Sequence, residues 1–233
     1  MPDRLILFDI DCTLIDARGA GGRAILRAIK DVYGVEGELG DYSFHGRTDP
    51  GIIGDLAALW GAGAPDATAG TDGIVDVCIT RYVELLREEI ARVEVKTLPG
   101  IRDLVTALVA DRRALVGLLT GNVEEGARLK LEPTGLLSLF KVGAYGSDSA
   151  LRADLPAVAV ARAEALTGRR SAGKDVVVIG DTPADVACGA SLGVTAVAVA
   201  TGRHSVDELA AHAPDHLFAD FSEWRTAYEA IVG

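Results

Sequence analysis

Three short polar stretches carry residues able to do chemistry, and each follows an apolar run. Asp9-Ile10-Asp11-Cys12-Thr13 comes directly after Leu5-Ile6-Leu7-Phe8. Two carboxylates two residues apart, at the end of a buried run, repel each other in a poorly solvated place. A hard cation is the simplest offset, because it takes oxygen ligands of this type. The bland alternative is an acidic turn in which Asp11 caps a helix. The second stretch, Gly180-Asp181-Thr182-Pro183-Ala184-Asp185, follows Val176–Ile179 and again sets acids at the end of an apolar run. Asp181 and Asp185 are spaced to share one side of a helix start. Helix N-capping accounts for one of them, but not for acids at two separate run ends. The third stretch is Thr120-Gly121-Asn122, after Leu118-Leu119. A hydroxyl, a flexible glycine and an amide at such a junction suit a phosphate cradle of backbone N–H groups; a plain Thr/Asn cap is the alternative.

These residues must be positioned by strands. The apolar runs Leu5–Phe8, Ala114–Leu119, Val142–Tyr145, Val176–Ile179 and Ala196–Ala200 are too short for helices and read as buried strands. The last of them ends in Thr201-Gly202. Between them lie helical patterns at Ile101–Ala110, Leu155–Leu166 and Ala184–Leu192, the last stopping at Gly193. Alternating strands and helices predict an α/β fold, a doubly wound parallel sheet with a Rossmann-like core. Ligands bind such sheets outside the carboxyl ends of the strands, where the polar stretches fall.

The alternation breaks between about Ala17 and Leu98. Helical patterns at Gly22–Tyr33, Pro50–Trp60 and Gly73–Arg92 fill that interval, with a Gly/Ala/Thr-rich loop expected over Ala62–Gly73. The expected organisation is a core formed by 1–16 and 99–233, with an α-helical cap inserted over 17–98. Within the cap, His45-Gly46-Arg47-Thr48-Asp49 sits between two helices. Arg47 is placed to reach the mouth of the site; a solvated surface arginine is the equal alternative, and His45 reads as structural.

The chain has 233 residues, 49% hydrophobic and 24% charged, with a net charge of −11. This is the balance of a globular protein with a sizeable core. So acidic a surface repels nucleic acid and anionic lipid, and an anionic substrate therefore requires local positive charge at the site. Three scattered cysteines, Cys12, Cys78 and Cys188, form no metal or redox motif; reduced thiols in a cytoplasmic protein are expected. The chain shows no signal peptide and no apolar run long enough to span a membrane.

Taken in order, D-x-D-x-T, then the strand ending in Thr120-Gly121-Asn122, then Gly180-Asp181-x-x-x-Asp185, resembles the haloacid dehalogenase-like hydrolase superfamily. The likeness runs over nearly the whole chain, includes the cap, and looks closest to the phosphoglycolate-phosphatase-like branch. It implies a Mg²⁺-dependent phosphatase acting on a small phosphorylated molecule. Asp9 would be the nucleophile that forms an aspartyl-phosphate. Asp11 would be general acid, then base. Thr120 would hydrogen-bond the phosphoryl group, with Thr13, Gly121, Asn122 and Arg47 as further substrate contacts. The metal set would be Asp9, the main-chain carbonyl of Asp11 and Asp181, with Asp185 holding a metal water or the basic residue.

The resemblance calls for one further basic residue, usually lysine, about 25 residues before the final acids. Arg152 matches by position; Lys130 and Lys141 are the rivals. Cys12 stands where the family usually has glycine. A phosphomutase would use the same residues. A dehalogenase normally lacks the second aspartate, so Asp11 and Asp181 count against it. A receiver-like protein phosphorylated on Asp9 would be about half as long and uncapped.

Overall fold

The computed structural model describes residues 3–62 and 71–233. The first strand, β1 (Arg4–Phe8), leads through β2 (Ile15–Asp16) into α1 (Ala20–Tyr33), α2 (Asp49–Leu59) and α3 (Thr71–Ala91). The chain returns through β3 (Lys96–Thr97) to α4 (Ile101–Ala110), β4 (Ala114–Leu119), α5 (Glu124–Leu131) and β5 (Val142–Ala144). Then follow α6 (Leu155–Thr167), β6 (Val176–Gly180), α7 (Pro183–Cys188), β7 (Thr195–Val199), α8 (Val206–Ala210), β8 (His216–Phe218) and α9 (Trp224–Val232).

Six strands form one sheet in the order β5-β4-β1-β6-β7-β8, and every neighbouring pair is parallel. Continuous apolar runs form it because both faces are covered. Leu5 and Leu7 of β1 face a cluster built with Leu155, Ala159 and Ala163 of α6. Ile6 and Phe8 face the opposite cluster, with Leu104, Val105 and Leu108 of α4 and Ile231 of α9. This alternation is the doubly wound arrangement expected from the sequence. The chain order reverses between β1 and β6, so a crevice opens beyond the carboxyl ends of those two strands. Asp9 and Asp181 stand there.

Three details differ from the sequence expectation. β8 went unread because three half-buried residues make no apolar run. The helix expected over Ala184–Leu192 stops at Cys188 and resumes as a single 3₁₀ turn, Ala190–Leu192. A Cβ at Gly189 would lie 2.1 Å from Val194 Cγ2, so the chain breaks where Val194 packs against it. The loop expected over Ala62–Gly73 lies mainly outside the described residues, and its last three residues belong to α3.

α1, α2 and α3 share a buried apolar seam that includes Ala24, Ala28, Ile53, Leu56, Leu85 and Leu86. Where the chain leaves β1 and where it returns, β2 and β3 pair antiparallel, Ile15 with Thr97 and Asp16 with Lys96. The two crossings into the helical segment are thereby held side by side. Among the described residues, no helix is long and apolar enough to cross a membrane.

Candidate active site

Asp9 leaves β1 with its N–H bonded to the carbonyl of Ile179, 2.9 Å away, which fixes the turn at the switch point. Asp181 follows β6, and Asp185 lies in the first turn of α7. One carboxylate oxygen from each of Asp9, Asp181 and Asp185 falls within 4.8 Å of the others. All three residues are buried.

The acids are not equivalent. Asp185 closes a capping box with Thr182, accepting from its N–H at 3.0 Å and its hydroxyl at 2.6 Å. Its other oxygen takes the guanidinium of Arg152. Asp181 accepts one long bond, 3.3 Å, from the Thr13 hydroxyl. Its second oxygen is buried and has no hydrogen-bond partner among the described residues. A buried, orphaned carboxylate oxygen is costly, and on a residue that clusters with Asp9 and Asp185 it fits a hard divalent cation. Asp185, with both oxygens committed, holds the basic residue instead.

Arg152 sits in the 3₁₀ turn Arg152–Asp154 before α6. Its guanidinium lies 3.4 Å from Asp9 Oδ1, with only 9% of the side chain exposed. Lys130 projects from α5 to a different acid. Its Nζ is 2.6 Å from Asp11 Oδ2 and 2.6 Å from Asn122 Oδ1. The site therefore contains two buried cations, Arg152 at Asp9 and Lys130 at Asp11. Lys141 bonds the carbonyl of Ser138 at the surface.

Asn122 donates from Nδ2 to both Asp11 and Thr120 Oγ1, at 2.8 Å each. The Thr120 hydroxyl also accepts from the Asn122 N–H at 3.3 Å. No acceptor for its own proton stands among the described residues, and the residue lines the cavity. Gly121 has a steric reason for its lack of side chain, since a Cβ there would lie 1.9 Å from the carbonyl oxygen of Arg47. The Asp49 N–H bonds the Gly121 carbonyl at 2.8 Å. Thr48, which caps α2, donates its hydroxyl to the carbonyl of Ala150 at 2.7 Å. The loop before α2 is thus sewn to both the Thr120 and the Arg152 segments.

Two expected substrate contacts are placed differently. Thr13 is fully buried and does not line the cavity; its hydroxyl positions Asp181. Arg47 lines the cavity, but its guanidinium is turned to Asp55 at 2.6 Å and lies 4.8 Å from the Tyr42 ring centre.

The charges follow from these contacts. Burial pushes Asp9 up to about 6, Arg152 opposing and Asp185 and Asp11 adding to the rise. Burial, Asp185 and Asp9 raise Asp181 to about 8. Burial acts to raise Asp11 too, but Lys130 and Asn122 outweigh it and hold Asp11 below its ordinary value. Burial pushes the Cys12 thiol up to about 12, with Asp181 and Asp11 reinforcing. Cys12 also occupies the left-handed backbone region, with φ 59°. That conformation is disfavoured for a residue with a Cβ, which is the physical sense of glycine as the usual occupant. Its carbonyl accepts from the Thr201 hydroxyl at 2.5 Å.

Residues 150–224, which include Arg152, Asp181 and Asp185, match the HAD-hydrolase-like family model. A probable phosphatase, IndB of Dickeya dadantii, is 26% identical over 98% of this chain and 94% of its own. The fold matches a hydrolase from Pseudomonas syringae with a TM-score of 0.73, at 17% identity over 99% of both chains. It matches a predicted phosphoglycolate phosphatase from Haemophilus somnus with a TM-score of 0.70, at 20% identity over 97% of this chain and 99% of that one. Over residues 150–224 the chain is similar to the haloacid dehalogenase-like hydrolases, and its whole fold is like that of these solved structures.

Two parts of the candidate site were not legible in the sequence. Gly202 closes over the acids: a Cβ there would lie 1.8 Å from Asp181 Oδ2. Thr201-Gly202 was visible as the end of the last strand run, but nothing local connects it to Asp181. His45 lines the cavity and has a ring nitrogen within 4.8 Å of Cys12 Sγ and an Asp181 oxygen, so it stands at the catalytic end.

Proposed function

We propose that this protein is a Mg²⁺-dependent phosphatase that moves the phosphoryl group of a small organic monoester to Asp9 and then to water. The observation that carries the reading is that Asp181, which has an orphaned buried oxygen, clusters with Asp9 and Asp185 at a cavity also lined by Arg152 and Thr120. Asp9 and Asp181, with the main-chain carbonyl of Asp11, would hold the ion. Bound there, Mg²⁺ would supply the positive charge that lets a carboxylate approach a phosphate dianion.

The residues then divide the work. Asp9 attacks phosphorus while Thr120, Arg152 and backbone N–H groups hold the equatorial oxygens. The Asp11 carboxyl gives its proton to the departing alkoxide oxygen, and its carboxylate takes one back from the water that attacks the Asp9 phosphoryl group. Lys130 and Asn122 fix Asp11 and favour its ionised form, the form needed for the second half. The helical segment 17–98 serves as the cap. The cavity beneath it, about 250 Å³, lies below the range usual for drug-sized ligands.

The test is phosphate release from a panel of phosphorylated metabolites with purified protein and Mg²⁺. EDTA should abolish turnover and added Mg²⁺ restore it. Asp9→Asn should remove both turnover and the covalent phosphoryl-enzyme. Asp11→Asn should cripple turnover while metal binding persists. Full activity in rigorously metal-free protein sinks the reading. Transfer of the phosphoryl group back to a substrate hydroxyl, with no phosphate released, would identify a mutase.

A further inference from the structure

The part of the cavity that would hold the leaving alcohol differs in chemistry from the part that would hold the phosphoryl group. Its walls are Ile15, Ala20, Ile25, Phe44 and Ile52. Four of these five are buried, Phe44 being the exception, so they form fixed apolar wall.

The charged cap and hinge residues that also line the cavity are committed to protein partners. Asp16 pairs with Arg18, whose N–H it accepts at 2.8 Å and whose guanidinium lies 3.2 Å away. Asp49 accepts the Val123 N–H at 2.9 Å. Arg47, the one cation that the cap brings to the cavity among the described residues, is neutralised by Asp55. Asp55 is fixed in turn by the Tyr42 hydroxyl at 3.0 Å. Lys130, on the floor, is occupied by Asp11 and Asn122.

Resting on the phosphatase reading, we infer that the substrate is a monoester whose leaving alcohol is compact, uncharged and largely apolar, and that Asp55 enforces this by neutralising Arg47. A carboxylate or second phosphate on the leaving group would be desolvated against apolar wall without a cation to meet it, which is strongly unfavourable. An alkyl or aryl group would instead bury its surface there. Asp55 would then act as a specificity-determining residue that never touches substrate.

The experiment compares kcat/KM, with Mg²⁺ present, for propyl phosphate and for phosphoglycolate, which carries a carboxylate on a leaving group of similar size. p-Nitrophenyl phosphate serves as an activated ester that needs little help in leaving. The native protein should favour propyl phosphate by about tenfold or more, the scale of discrimination by a pocket of this kind. Asp55→Asn, an exposed substitution that frees Arg47, should move the ratio toward phosphoglycolate by about fivefold, the worth of an exposed ion pair. Its rate on propyl phosphate should stay unchanged. A native preference for phosphoglycolate, or an unmoved ratio in Asp55→Asn, overturns the inference and leaves the phosphatase reading intact. No phosphate release from any of the three esters overturns both.

Discussion

Replacing Arg152 by alanine removes the cation nearest the nucleophile. The guanidinium stands 3.4 Å from Asp9 and also holds Asp185. At an effective dielectric of about 20, one charge pair at that separation is worth about 5 kcal/mol. Removing one partner of a buried pair typically costs about 3–5 kcal/mol, so the two scales agree. During phosphoryl transfer, negative charge gathers at the same point, and loss of one preorganised donor there lowers kcat by about 10²–10³. The folded state should suffer as well: three buried acids keep each other's company without their cation. At about 2–4 °C per kcal/mol for a chain of this size, the midpoint of thermal unfolding in EDTA should drop by roughly 10 °C. Mg²⁺ should recover part of that by binding only the folded form. The assay pairs thermal unfolding, with and without Mg²⁺, with single-turnover formation of the Asp9 phosphoryl group. Arg152→Lys should recover only part of the rate, because a compact ammonium cannot donate two parallel bonds. Lys130→Ala should leave formation of the phosphoryl group less affected and instead shift the pH profile of its hydrolysis upward, since Asp11 loses the cation that holds it ionised. The reasoning is refuted if Arg152→Ala keeps near-native phosphoryl transfer while Lys130→Ala abolishes it.

Proton linkage gives a second expectation. Asp9 and Asp181 sit above the ordinary 3.8, at about 6 and about 8. The folded metal-free protein therefore binds protons that the unfolded chain has released, and its stability should fall as pH rises from about 4 through about 8. Mg²⁺ competes with those protons, so the thermal shift it produces should grow from pH 6 to pH 8.5; a pH-independent shift would count against these acids as the ligands. Gly202→Ala drives a methyl group into Asp181; titration calorimetry should show Mg²⁺ binding weakened at least tenfold, and unchanged affinity would mean that Asp181 is not a ligand. Cys12→Gly should keep turnover and fold at least as well, because φ 59° suits glycine, whereas Cys12→Val should lose stability by about 1–2 kcal/mol in urea denaturation. With its thiol pushed up to about 12, Cys12 should react with iodoacetamide at pH 7 far more slowly than free cysteine.

The acids, the Thr-Gly-Asn turn and the strands beneath them were legible in the sequence because their signals are local. A buried parallel strand is a continuous apolar run, and the polar residue that ends it is its neighbour in the chain. β8 is only half-buried and makes no apolar run, and β2 and β3 are two residues each, so none of them leaves such a signal. The partners were decided elsewhere. Lys130 and Arg152 are both basic residues on helical turns between the second and third stretches, and spacing alone could only rank them. The packing of α5 and α6 on opposite faces of the sheet sends Lys130 to Asp11 and Arg152 to Asp9 and Asp185. Thr13 looked like a substrate contact, yet it turns inward to Asp181, 168 residues away. Arg47 pairs with Asp55 one helical turn and more along α2, and Gly202 closes on Asp181 because β6 and β7 are adjacent. Side-chain type and neighbours along the chain determine which chemistry is possible; strand order and helix packing determine which charge meets which, because electrostatic interactions depend on distances in space that the linear order does not contain.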